Sequence, residues 1–147
     1  MKKLLAHETL YCNSLEELKT TAEHIISFSK KYTIWTFRGQ MGSGKTTLIK
    51  EIGKQMGIEN TISSPTFSIV NEYENQKGEV FYHFDFYRIK KEEEILDIGL
   101  EHYLNTGTYC WIEWPDKIEN FLLEKYIEVK LELVDHQKRL ISLSVYE

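Results

Sequence analysis

A glycine, four further residues and then Gly-Lys-Ser/Thr is a spacing with one well-understood chemical use. The chain meets it at Gly39-Gln40-Met41-Gly42-Ser43-Gly44-Lys45-Thr46. Glycines let the backbone take φ > 0, so that successive amide N–H groups turn inward on phosphate oxygens. A helix beginning at the lysine aims the positive end of its dipole at the same anions. In that chemistry Lys45 reaches the β- and γ-phosphates and the Thr46 hydroxyl holds Mg2+. Gln40, Met41, Gly42, Ser43, Gly44, Lys45, Thr46 and Thr47 are therefore the candidate nucleotide-binding set. The Asn-Lys-x-Asp signature of guanine specificity does not occur, which favours ATP.

A phosphate cradle of this kind needs a carboxylate at a neighbouring strand end, to hold magnesium directly or through water. Two acids qualify. Asp85 ends the run Val80-Phe-Tyr-His-Phe84, and Glu113 ends Tyr109-Cys-Trp-Ile112. A carboxylate placed after an apolar strand emerges at the carboxyl edge of an α/β sheet, where such sheets bind ligands. His83 lies two residues before Asp85, on the same face of the strand. It reads as a hydrogen-bonded core histidine in preference to a metal ligand.

The elements that must position these groups follow from periodicity and punctuation. Residues 32–37 alternate and are rich in β-branched and aromatic types, so a strand leads into the glycine loop. A helix over 45–56 follows, with Leu48, Ile49, Ile52 and Met56 inward and Gly57 past its end. Upstream, Ser14 and Glu17 have capping-box spacing before a helix bearing Leu15, Leu18, Ala22 and Ile25. Strands are expected over 67–73 and 80–84, joined by the turn Asn75-Gln-Lys-Gly78, then a short helix over 92–98. Residues 108–112 are apolar on both faces, which suits a central parallel strand. A short helix over 117–123 and a hairpin turning at Asp135–Lys138 complete the chain. This order predicts one α/β domain over residues 1–147, a three-layer P-loop NTPase-like fold. Its mixed sheet would be parallel in the centre, with antiparallel hairpins added.

The 147 residues are 41% hydrophobic and 28% charged, with a net charge of −5. That balance does not draw the chain onto nucleic acid or an anionic membrane. A role on a nucleic-acid pathway would need a partner to supply the basic surface. The two cysteines, Cys12 and Cys110, read as reduced core thiols. The apolar run after Met1-Lys-Lys stops at His7-Glu8, too short for a signal peptide, and no stretch approaches a membrane span. The expected compartment is the cytoplasm.

Four blocks in order, Gly42-Ser-Gly-Lys-Thr-Thr47, Ser64-Pro-Thr-Phe67, Tyr82-His-Phe-Asp-Phe-Tyr-Arg88 and Ile112-Glu-Trp-Pro115, resemble the TsaE (YjeE) family. Its members are bacterial ATPases of tRNA threonylcarbamoyladenosine synthesis. The similarity runs from about Arg38 to Pro115, and the two ends match only in general pattern. The resemblance implies Mg2+-dependent ATP hydrolysis, weak in isolation and switched on by a TsaD–TsaB transferase pair, with tRNA engaged only through that complex. It makes Lys45 the phosphate lysine, Thr46 and Glu113 the metal ligands, and Asp85 the essential aspartate that orients attacking or metal-bound water. It makes Thr66 a switch residue sensing the γ-phosphate, against the alternative of a proline-stiffened turn.

Trp114 either lines the nucleotide pocket or packs beneath it, Arg88 meets phosphate or a nearby acid, and Arg139 lies where the family resemblance implies a basic residue near the nucleotide. Gln40 stands where the family usually has an acid, and Met41 where it usually has leucine. Two other uses of the loop remain in view. A small-molecule kinase would need an arginine-bearing lid, and the three arginines, Arg38, Arg88 and Arg139, are not clustered in sequence. A non-catalytic adaptor would not need Lys45, Thr46, Asp85 and Glu113 all intact.

Overall fold

The computed structural model describes residues 2–65, 69–122 and 125–147. Its centre is a seven-stranded sheet. The strands in chain order are β1 (Leu4–Cys12), β2 (Ile34–Arg38), β3 (Val70–Glu74), β4 (Val80–Asp85), β5 (Tyr109–Glu113), β6 (Tyr126–Leu133) and β7 (Arg139–Tyr146). They lie side by side as β1-β7-β6-β2-β5-β4-β3. The inner four, β6, β2, β5 and β4, are parallel, while β1–β7, β7–β6 and β4–β3 are antiparallel. The parallel centre with hairpins at either side is the expected mixed α/β sheet of a P-loop NTPase fold.

Parallel strands buried on both faces need apolar residues at odd and even positions alike. In β2, Ile34, Trp35, Phe37 and the polar Thr36 are all buried. Thr36 is accommodated because its hydroxyl donates to the Ile127 carbonyl at 3.1 Å. The alternate side chains feed two cores. On one face Trp35, Phe37, Phe81 and Trp111 pack with Ala22 and Ile25 of helix α1 (Leu18–Phe28) and Leu48, Ile49 and Ile52 of α2 (Lys45–Gln55). On the other, Ile34, Phe84, Cys110 and Ile112 meet Ile95 of α3 (Glu92–Ile98) and Leu100 and Leu104 of α4 (Leu100–Leu104). Ile118 of the 3-10 segment Pro115–Phe121 joins this second core. Helical layers on both faces leave the carboxyl ends of β2, β4 and β5 clear along one edge.

Several expectations are corrected. Strand β1 was not anticipated. Most of its side chains are exposed, so its sequence lacks the alternation of a half-buried strand, and it exists through backbone pairing with the distant β7. The Ser14–Glu17 capping box does not form. Leu15–Glu17 is a 3-10 turn, and the Glu17 carboxylate accepts instead from Asn13 N and Nδ2, at 3.1 and 3.0 Å. The helix expected over 117–123 is the 3-10 segment, opened by Pro115 and bent where Ile118 has φ −123°. Helix α4 was missed, being only five residues long. The expected strand over 67–73 is observed as Val70–Glu74, its first residues lying outside those described.

Candidate functional site

Strand β2 delivers the chain to the carboxyl edge at Arg38, and the glycine loop reverses it into α2. Gly42 and Gly44 have φ of +81° and +100°, the left-handed values expected of a phosphate loop. Gly39 is required for a different reason: a Cβ there would sit 2.6 Å from Ser43 Oγ and 2.8 Å from the Leu131 carbonyl oxygen. Gly44 is the N-cap of α2, and among the described residues no side chain caps that end. The first-turn N–H groups, which a helix cannot satisfy internally, therefore face the cleft beside the loop.

That cleft has a volume of about 620 Å³ and is lined by the loop from Met41 to Thr47, by Ser64 and Pro65, and by Asp85, Tyr87, Arg88, Glu113 and Trp114. The sheet explains why these residues meet. Asp85 and Glu113 are register partners at the ends of adjacent parallel strands. Strand parity turns His83, Asp85, Trp111 and Glu113 toward the face carrying α2.

Glu113 is the hub. Only 2% exposed, its carboxylate accepts from Thr46 Oγ1 at 3.1 Å, Ser64 Oγ at 3.3 Å and His83 Nε2 at 2.7 Å. Thr46 Oγ1 and Ser64 Oγ are themselves 2.7 Å apart. A hydroxyl beside an anionic carboxylate, opening on a cleft lined by free backbone amides, is a hard-oxygen donor set of the kind Mg2+ takes alongside phosphate oxygens and water. The residues fit the metal. His83 is the hydrogen-bonded core histidine of the sequence reading, and its partner is this carboxylate.

Lys45 is buried. Its ammonium donates to the Gly39 and Gln40 carbonyls, the latter at 3.2 Å, and lies 4.0 Å from the centre of the Trp114 ring. Burial lowers its pKa, opposed by the charges of Glu113, Asp85 and Asp116. Burial raises the pKa of Asp85; the Tyr87 N–H works against this, the Glu113 charge adds to it, and His83 and Lys45 oppose it. Asp85 accepts that N–H at 2.9 Å, which fixes the carboxylate at the cleft wall. Trp114 lines the cleft and also packs against the second core. Its φ of +59° and ψ of +57° are left-handed, sparsely populated by non-glycine residues. The turn it makes aims the chain from β5 into Pro115.

Arg139 does reach the loop. Its Nε donates to the Ser43 carbonyl at 2.9 Å and its Nη1 to the Asp135 carbonyl at 3.3 Å. It borders a second cleft of about 570 Å³, which shares Gly42, Ser43, Gly44 and Thr47 with the first and continues past Leu15, Leu18 and His136. Gln40 turns away: it lines a third cleft, with Arg38 and Asp116. Arg38 is held by Asp116 at 2.7 Å, Glu119 at 2.6 Å and Glu128 at 3.5 Å. Thr66 lies outside the described residues. Ser64 and His83, both contacts of the central carboxylate, were not among the expected site residues. Both stand inside the motif blocks that carry the family resemblance, and His83 shares the strand face of Asp85 as well.

The sequence model of the family described as "Threonylcarbamoyl adenosine biosynthesis protein TsaE" matches residues 12–141. A relative named tRNA threonylcarbamoyladenosine biosynthesis protein TsaE, from Rickettsia felis, is 40% identical over 135 residues, covering 91% of this chain and 78% of its own. The protein of that name from Bacillus subtilis is 33% identical over 129 residues, covering 88% and 80%. The crystal structure of YdiB from Bacillus subtilis superposes with a TM-score of 0.74 at 25% identity, over 97% of this chain and 86% of that one.

Proposed function

The chain belongs to the TsaE family, and on that premise we propose that it binds and hydrolyses ATP with Mg2+ in the formation of tRNA threonylcarbamoyladenosine. The partners proposed are TsaD- and TsaB-like proteins, with tRNA reached only through that assembly and no membrane involved. The setting is cytoplasmic, and no described helix is long and apolar enough to cross a membrane. The observation that carries the reading is the Thr46 hydroxyl on the buried Glu113 carboxylate, at the open end of α2.

In this reading the loop amides and the start of α2 hold the β- and γ-phosphates, and Lys45 moves its ammonium from the Gly39 and Gln40 carbonyls onto them. Thr46 and Glu113 would hold Mg2+, which when bound neutralises phosphate charge as it builds in the transition state. Asp85, on the next strand, accepts a hydrogen bond from the attacking water and orients it. The second cleft, continuous with the first around Gly42–Thr47, takes the nucleoside, with Arg139 bracing the loop between them.

Weak turnover in isolation follows from charge. Arg38 is occupied by three carboxylates, Arg139 by two carbonyls, and the cleft presents Asp85, Glu94 and Glu113 against Lys45 and Arg88. A partner that adds positive charge or repositions Arg88 would supply what phosphoryl transfer most needs. The test is ATP hydrolysis by the purified chain, alone and with a TsaD–TsaB pair, with Lys45→Ala as the blank. Turnover alone below ~1 s⁻¹, the lower end for kinases, and strong stimulation lost in the variant are expected. Fast turnover alone, or phosphorylation of a small acceptor, would replace this reading with a kinase.

A further inference from the structure

We propose that His83 and Tyr73 are positioning residues that couple the Glu113 carboxylate to the backbone of the 63–65 segment. The idea rests on the reading of Thr46 and Glu113 as the pair that holds Mg2+, and it adds a route by which that pair is tied to the segment of Ser64 and Pro65 that lines the cleft.

The hydrogen bonds close a ring. From Glu113 Oε2 it runs to His83 Nε2 at 2.7 Å, from His83 Nδ1 to the Tyr73 hydroxyl at 3.3 Å, and from that hydroxyl to the Ser63 carbonyl at 3.0 Å. The peptide between Ser63 and Ser64 carries it on, and Ser64 Oγ returns it to Glu113 Oε2 at 3.3 Å. The Ser63 N–H also donates to the Tyr73 oxygen at 3.3 Å, and Asn71 Nδ2 donates to the Ser63 carbonyl at 3.1 Å. His83 is fully buried, Glu113 2% exposed and Tyr73 6% exposed. At this buried end of the ring an unmade hydrogen bond costs more than it does at the surface, while Ser63 at the other end is exposed.

The ring contains a built-in choice. The tautomer that donates from Nε2 to the carboxylate leaves Nδ1 as an acceptor toward Tyr73. Tyr73 owns one hydroxyl hydrogen and has two acceptors within reach, His83 Nδ1 and the Ser63 carbonyl. While Ser63 takes it, Nδ1 lacks a donor. When the 63–65 segment withdraws, the hydrogen passes to His83. Ser64 simultaneously leaves Glu113, so one carboxylate oxygen, Oε2, senses the segment through two hydrogen bonds, from His83 and from Ser64. The strands make this transmission stiff, because His83 lies in register between Asn71 of β3 and Trp111 of β5.

The experiment uses the full chain, 15N-labelled, with a non-hydrolysable ATP analogue. Nucleotide affinity and hydrogen exchange of the Ser63 and Ser64 amides are measured with and without Mg2+. In the parent, Mg2+ slows exchange at both amides by at least threefold. In Tyr73→Phe that slowing is lost and the Mg2+ concentration for half-maximal effect on affinity rises about tenfold, as for other groups that orient a metal ligand. Affinity for the analogue without metal stays within twofold.

Tyr82→Phe, a hydroxyl removed from the opposite face of β4, behaves as the parent. His83→Gln, which keeps a side-chain N–H donor but loses the ring nitrogen facing Tyr73, repeats the Tyr73→Phe result and guards against a folding defect in either variant. Parent-like slowing in a folded Tyr73→Phe chain overturns the coupling alone. Failure of the parent to bind the analogue overturns the functional reading and the coupling with it.

Discussion

Replacing Asp85 by asparagine separates two consequences of one carboxylate. Asparagine keeps an oxygen for the Tyr87 N–H but removes a charge that burial disfavours and the neighbouring Glu113 repels. The folded chain holds the Asp85 proton more tightly than the unfolded chain does. Its contribution therefore turns unfavourable as pH rises from the ordinary carboxylate range through the raised folded value, and is fully unfavourable above it. Asp85→Asn should melt at a higher temperature than the parent at about pH 7, with the gap closing toward about pH 4. Hydrolysis should fall ~10²-fold or more while nucleotide affinity is retained, if Asp85 orients the water. Calorimetry and a phosphate-release assay check the two halves separately. A lower melting temperature at neutral pH would mean that the aspartate is held by favourable contacts after all. The thiols behave differently: burial pushes Cys110 up to about 12, and Cys12 is buried as well. Neither should react with an aromatic disulfide reagent until the chain unfolds, so thiol release should track the loss of helical circular dichroism.

At the scale of elements, the loop and its strands were legible because their signals are local. Glycine spacing, an apolar run before it and a helical stripe after it fall within 25 residues, and the acids at the ends of β4 and β5 follow from strand parity. What stayed hidden depends on distant partners. Strand β1 forms only against β7, more than a hundred residues away in the chain. Among the described residues the contacts of Glu113 come from α2, from β4 and from the loop at Ser64, and no single window shows them. Gly39 makes the same point: its place in the motif was plain, whereas the Leu131 carbonyl that forbids a side chain belongs to β6. Gly39→Ala should cost ~1–3 kcal/mol by overpacking against backbone that cannot rotate away. Binding of a fluorescent ATP analogue should weaken in parallel, since the shift falls on the loop itself. Chemical denaturation and a binding titration measure these, and a chain with parental stability would show that β6 yields at that point.

Over the whole molecule, the net charge of −5 and the acidic residues of α3 leave the surface unsuited to bind tRNA alone. Direct binding of tRNA by the isolated chain at physiological salt is not expected, and a gel-shift assay with and without the proposed partners would show whether affinity arises only in the assembly. The strand order carries a further consequence. The phosphate loop is encoded early, yet the strand that bears it has β5 and β6 as its two neighbours, and both belong to the last third of the chain. At ordinary synthesis rates the loop leaves the ribosome roughly ten seconds before its second wall is complete. Until then the glycines have no sheet to brace them, and Glu113, which Thr46 must meet, has not been made or has no strand to hold it. Nucleotide can thus be gripped only by a nearly finished chain, and the binding energy goes to molecules that have already closed their sheet.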